Sequence, residues 1–174
     1  LKNPSSVHQE GQTARAFIET ARKEVKAALG VCSKHQLVFT SGGTESNNAI
    51  ISSHFQEKNN KNKYLLSKVE HASVYNMAKN IEKMGIEVDW IRVSANGEVD
   101  LEDYAQKLDD RVGLVSVMLA NNETGFILPV QEMATLAQKK GIPFHTDAVC
   151  AAGKIPFVFN DLNVDYLSFS SHKF

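Results

Sequence analysis

The sequence predicts an α/β fold in which a mostly parallel sheet is covered by helices on both faces. Three observations carry this. Segments of strand and helix character alternate at least four times along the 174 residues. The strand segments are short, nearly continuous apolar runs such as Leu114-Val115-Ser116-Val117-Met118-Leu119, which suit strands buried on both sides. Polar clusters follow those strands at once, in the region where open α/β sheets bind ligands beyond the strands' carboxyl ends.

Taken in order, Asn3-Pro4-Ser5-Ser6 is a turn, and Ala14, Phe17, Ile18, Ala21, Val25, Ala28 and Leu29 recur at helical spacing. Gly30 stands where a C-terminal cap belongs. Leu37-Val38-Phe39-Thr40 reads as a short strand. Ser41-Gly42-Gly43-Thr44-Glu45-Ser46 follows it and opens a helical stretch through Asn48, Ile50, Ile51 and Phe55. Lys58-Asn59-Asn60-Lys61-Asn62-Lys63 reads as a solvated connection. Tyr64-Leu65-Leu66-Ser67 is the next strand, with Glu70-His71 at its end and a helix from Val74 to Met84, closed by Gly85. Ile86, Val88, Trp90 and Ile91 form a strand, Asn96-Gly97 a turn, and Asp100 caps a short helix through Leu101, Tyr104, Ala105 and Leu108. The Leu114–Leu119 strand ends in Asn121-Asn122-Glu123-Thr124-Gly125. Pro129 leads into a helix through Met133, Leu136 and Ala137, closed by Gly141. Pro143-Phe144-His145-Thr146 is a strand ending at Asp147, and a last strand from Val164 runs into Ser170-Ser171-His172-Lys173.

Composition narrows the function. The length suits one domain or a piece of a larger one. A net charge of −1 argues against a nucleic-acid-backbone binder. No apolar run reaches the roughly 18 residues that span a bilayer. Leu1-Lys2-Asn3-Pro4 lacks an initiator Met and the apolar core of a signal peptide, and reads as a cut end. Cys32 and Cys150 are the only cysteines, and neither has a second Cys or His at metal-ligand spacing. They read as ordinary thiols in a reducing compartment, the cytoplasm or an organelle matrix.

Several motifs carry chemistry. The glycines of Ser41-Gly42-Gly43-Thr44 let backbone amides approach an anion, and a helix N-terminus adds about 0.3–1 kcal/mol of favourable field. The motif lacks the lysine and glycine spacing of nucleotide loops, and alone it equally reads as a plain capped turn. Asp147 can hold a proton on a heteroaromatic nitrogen, or cap a turn. His71 can lay its ring on a planar cofactor and move protons, or serve as a satisfied structural side chain. His8, His35, His54 and His145 read as structural. Asn122 offers a donor and an acceptor to a cofactor oxygen or a substrate carboxylate, or holds a turn, the role that suits Asn121. Lys173 ends an apolar strand, where a desolvated amine can form a Schiff base with an aldehyde. Elsewhere such a lysine is a surface residue.

Together these stretches resemble the pyridoxal-phosphate enzymes of aminotransferase class V, and more narrowly the cysteine desulfurases of iron–sulfur assembly and nitrogen fixation. The match runs through Asn3–Ser6 with His8, Phe39–Asn47, Glu70-His71, Asn121–Gly125, His145–Ala148, Gly153-Lys154 and Ser168–Lys173. The resemblance implies the large domain of fold type I of these enzymes, incomplete, with pyridoxal 5'-phosphate as cofactor. It makes Lys173 the Schiff-base lysine and gives the phosphate to Gly43 and Thr44, with Ser170 and His172 helping. His71 would stack on the ring and take part in proton transfer, Asp147 pair with its nitrogen, and Asn122 reach the phenolic side and the substrate. Cys150 stands where the family usually has a glutamine donating to the phenolic oxygen. A thiol is a shorter and weaker donor, so a weakened Schiff base is expected.

The implied reaction converts L-cysteine to L-alanine and passes sulfur through an enzyme persulfide to an iron–sulfur scaffold or other acceptor protein. The family's persulfide cysteine lies in a later part of its members, so Cys150 is not that residue. Homodimers are implied as well. The N-terminal strand segment, the strand after the lysine and the small C-terminal domain are expected to be missing, and the isolated piece to be poorly soluble for want of cover. Selenocysteine lyase and other class V aminotransferases are the enzyme alternatives. A non-catalytic truncated scaffold is the alternative of another kind, and a nucleotide-binding domain fits the glycine spacing poorly.

Overall fold

A computed structural model describes residues 2–54 and 61–173. Phe55 and the Lys58–Asn60 part of the expected solvated connection lie outside them. The chain divides into two compact units: residues up to Phe39 with Val158–Asn160, and Thr40–Phe157 with the residues from Asp161 on.

The first unit is built on helix α1 (Gln9–Ala28). His8 caps its start, Nδ1 accepting the Gly11 N–H at 3.3 Å. A Cβ on Gly11 would collide with the Ser6 carbonyl oxygen, so the turn can close on the helix only over a glycine. Gly30, at φ 65°, ends the helix in the left-handed region, and the Val31 N–H reaches back to the Lys26 carbonyl at 2.8 Å. The apolar stripe of α1 is poorly covered: Phe17 is 73% exposed and only Gly11 is buried. Leu37–Thr40 is not a strand. The Leu37 carbonyl accepts from the Arg22 guanidinium, and Val38 is 73% exposed. A strand exists only beside a neighbour that takes its backbone groups, and in this segment a side chain takes one of them.

The second unit holds a five-stranded, all-parallel sheet. Its elements are α2 (Gly43–Ser53), β1 (Lys63–Ser67), α3 (Ala72–Lys83), β2 (Glu87–Ile91), α4 (Leu101–Lys107), β3 (Val112–Ser116), α5 (Val130–Lys139), β4 (Phe144–Asp147) and β5 (Tyr166–Ser168). The strand order is β2-β1-β3-β4-β5. β1, β3 and β4 are buried along their whole length, which is why they read as continuous apolar runs. Tyr64, Leu66 and Leu114 pack with Ile51 of α2 and with Val74, Ala78 and Ile81 of α3. The Tyr104 hydroxyl of α4 donates to the Met133 carbonyl of α5 at 2.9 Å.

Two residues of this sheet depart from their appearance in the sequence. Lys63 belongs not to a solvated connection but to β1, 4% exposed. Asp89 and Asp109 each stand 3.3 Å from its amine and make that burial tolerable. His145 in the middle of β4 is fully buried, with Nδ1 2.8 Å from Ser116 Oγ on β3 and Nε2 3.0 Å from Ser168 Oγ on β5. One imidazole thus ties three strands together. Burial, with the charge of His54 second, pushes its pKa down to about 3.

Candidate active site

Within the second unit, the loops after β1, β3, β4 and β5 converge with the amino end of α2 around a cavity of about 240 Å³. α2 starts after Gly42 with no side-chain cap, so the donors of its first turn are not spent on a side-chain cap and the helix field is directed outward. A Cβ on Gly43 would stand 2.8 Å from Val149 Cγ2 and 3.9 Å from Ser170 Cβ. Glycine is therefore what lets this wall close up. Glu45 Oε2 accepts the Ser41 N–H at 2.5 Å, and hydrogen bonding from Ser41 holds its carboxyl below the usual range.

Asp147 ends β4 and is 3% exposed. Oδ1 accepts the Val149 N–H at 2.9 Å and Oδ2 an Asn47 Nδ2 hydrogen at 2.7 Å. Each oxygen keeps acceptor capacity for one more donor, which suits a protonated ring nitrogen. His71 is the N-cap of α3: Nδ1 accepts the Ser73 N–H at 3.1 Å and lies 2.9 Å from Ser73 Oγ. Beside it, Glu70 Oε1 accepts from Ser67 Oγ at 2.5 Å and from the Met118 N–H at 2.8 Å, while Oε2 is shut off from solvent without a partner. Burial pushes Glu70 up to about 8, and the negative charge of Asp147 adds to the shift against those two bonds.

Asn121 holds the loop after β3, its Oδ1 accepting from the Glu123 and Thr124 N–H groups at 3.0 and 2.9 Å, and Asn122 stands exposed beside it. Ser170 Oγ lies 2.7 Å from His172 Nδ1, and Lys173 ends a single 3-10 turn over Ser171–Lys173.

The cavity is lined by Gly43, Thr44, His71 and Asn122 from the loops after the first strands, and by Asp147, Cys150, His172 and Lys173 from the later ones. Ser170 alone of the expected set does not line it. It meets the wall through His172. Lys173 is exposed, so the described residues do not supply the desolvation that a Schiff-base amine needs. Sequence reasoning assigned no role to Asn47 and Ser73, which also line the cavity. Asn47 lies one helical turn beyond Gly43, on the same face, and Ser73 sits two residues past a capping His71, so spacing alone pointed to both. Met118 and Val149 carried no such signal. Among the described residues no group of three or more His, Cys, Asp or Glu stands close enough to hold a metal ion.

A parallel α/β sheet with a glycine-led helix, an aspartate and a lysine at its carboxyl edge is the arrangement expected of class V aminotransferases. Residues 2–174 match that family, and the chain belongs to it. Over 173 residues it is 44% identical to a cysteine desulfurase of Sinorhizobium fredii, covering 99% of this chain and 45% of the relative. It is 43% identical to the cysteine desulfurase IscS of Dictyoglomus turgidum, covering 99% and 44%. Among solved structures it is similar to a NifS-like protein, with a TM-score of 0.92 at 38% identity over 98% of this chain and 47% of the other. SspA in complex with cysteine gives 0.92 at 32% over 99% and 50%. The chain spans less than half the length of these curated relatives. The family resemblance and the parallel α/β fold are both borne out.

Proposed function

We propose that this chain forms the cofactor-holding part of a pyridoxal-phosphate-dependent cysteine desulfurase. The observation that carries the reading is one cavity that gathers an uncapped helix N-terminus, a buried carboxylate, a histidine ring and a lysine. Bound there, pyridoxal phosphate supplies an aldehyde that condenses with amines and a protonated ring that withdraws electrons. The first turn of α2 with Thr44, and Ser170 with His172, bind the phosphate. Asp147 keeps a proton on the ring nitrogen, His71 covers a ring face, and Asn122 and Cys150 border the phenolic side. Lys173 supplies the anchoring amine, and a second copy of the chain in a homodimer completes its shielding from water. The substrate is L-cysteine, and its sulfur passes by way of a persulfide to an iron–sulfur scaffold or other acceptor protein in the cytoplasm.

The test uses the complete gene product with pyridoxal phosphate and L-cysteine. Near-visible cofactor absorbance, a borohydride-fixed adduct on Lys173 by mass, and release of alanine are expected, and Lys173→Ala should lose all three. Preference for selenocysteine would move the reading to a selenocysteine lyase. Absorbance without alanine would point to another class V aminotransferase. Neither absorbance nor adduct would leave a non-catalytic scaffold.

A further inference from the structure

A line of hydrogen bonds runs in one direction from Asp147 to His71. Of the two hydrogens on Asn47 Nδ2, one goes to Asp147 Oδ2 at 2.7 Å and the other to Ser73 Oγ at 3.0 Å. Asn47 is 1% exposed. The opposite amide orientation would set Oδ1 against the carboxylate, two acceptors in contact, so Asp147 fixes which amide atom faces it. Having accepted from Asn47, the Ser73 hydroxyl has its own proton to give, and His71 Nδ1 lies 2.9 Å away. The Ser73 backbone N–H, which can only donate, meets the same nitrogen at 3.1 Å. Two donors on Nδ1 leave no place for a proton there.

We propose that Asn47 and Ser73 are positioning residues that hold His71 in the tautomer protonated at Nε2, so that its ring offers the cavity a donor rather than a base. A proton taken up by His71 would have to enter at Nδ1, and would displace both donors together with the cap of α3. This narrows the proton-transfer role expected from the sequence to hydrogen-bond donation from Nε2. The inference rests on the cofactor reading only for what that N–H meets.

The test is nitrogen-15 NMR of the histidine side chains in the cofactor-free complete gene product, with His71 assigned by difference from His71→Gln. The Nε2–H form should exceed the Nδ1–H form by at least about tenfold at neutral pH, in keeping with a cap hydrogen bond reinforced by a hydroxyl. Asn47→Ala frees the Ser73 hydroxyl to turn and accept, and Ser73→Ala removes it. Either should lower the ratio by about threefold or more, the effect of one hydrogen bond, and Ser73→Thr should keep it. A majority of Nδ1–H in the parent protein overturns the proposal, as does a ratio that neither variant moves. If Asn47→Ala does not fold, the Ser73→Ala and Ser73→Thr pair decides. Because the tautomer is read without cofactor, failure of pyridoxal phosphate to join Lys173 would refute the proposed function and leave this inference standing.

Discussion

Replacing Glu70 with glutamine keeps the side chain's shape and both hydrogen bonds at Oε1, from Ser67 Oγ and the Met118 N–H, while removing the carboxyl proton equilibrium. Burial holds that carboxyl near 8 in the folded chain against 4.5 for an ordinary one. The folded state therefore keeps a proton that the unfolded state gives up. The stability Glu70 contributes is fully present below pH 4.5 and is lost as pH rises to 8, at about 1.4 kcal/mol per pH unit. His145 acts in the opposite sense. Held neutral to about pH 3 against an ordinary 6.5, it contributes stability that is present above 6.5 and lost as pH falls toward 3. Between 4.5 and 6.5 the two slopes offset each other. Above 6.5 Glu70 acts alone, and by pH 8 about 2 kcal/mol has gone. Urea unfolding of the cofactor-free complete gene product at a series of pH values should show that decline. Glu70→Gln should rise to pH 6.5 and then stay level. Parallel curves above pH 6.5 would refute the reasoning.

Gly43→Ala places a Cβ 2.8 Å from Val149 Cγ2 at the mouth of the α2 donors. Cofactor affinity should fall about tenfold or more, measured by absorbance titration, and an unchanged affinity would show that Val149 yields freely. Cys150→Gln puts a longer, stronger donor on the cavity wall. It should tighten cofactor binding severalfold and shift the pH titration of the cofactor's absorbance. If neither changes, the thiol is an adequate substitute.

The fold was legible where burial leaves a mark on composition. β1, β3 and β4 are covered on both faces, so their apolar runs announced a parallel sheet. What depended on partners distant in sequence was not. Lys63 looks like the end of a hydrophilic run, and only Asp89 and Asp109, far along the chain, make it a buried residue. Leu37–Thr40 has strand composition, but no sequence pattern shows that Arg22 takes the Leu37 carbonyl. The periodicity of α1 identified the helix without showing how far Phe17 would stay exposed. In the site, the glycines, His71, Asp147 and Lys173 were legible because each follows a strand or an apolar run at once. Asn47 and Ser73 touch mainly other side chains, and that work appears only once Asp147, a hundred residues away from Asn47, lies at 2.7 Å.

The imidazole of His145 sits two residues before Asp147 on β4, and alternation puts both on one face of the sheet. A slip of one residue in the pairing of β4 would turn both to the opposite face together. His145 would lose Ser116 and Ser168 at the same moment that Asp147 left Asn47. A misaligned sheet is then penalised at its centre and blind at its edge, so chains that reach a stable register are the same chains whose carboxylate faces the cavity. Quality control of folding and assembly of the site become one event, with strand alignment as the checkpoint.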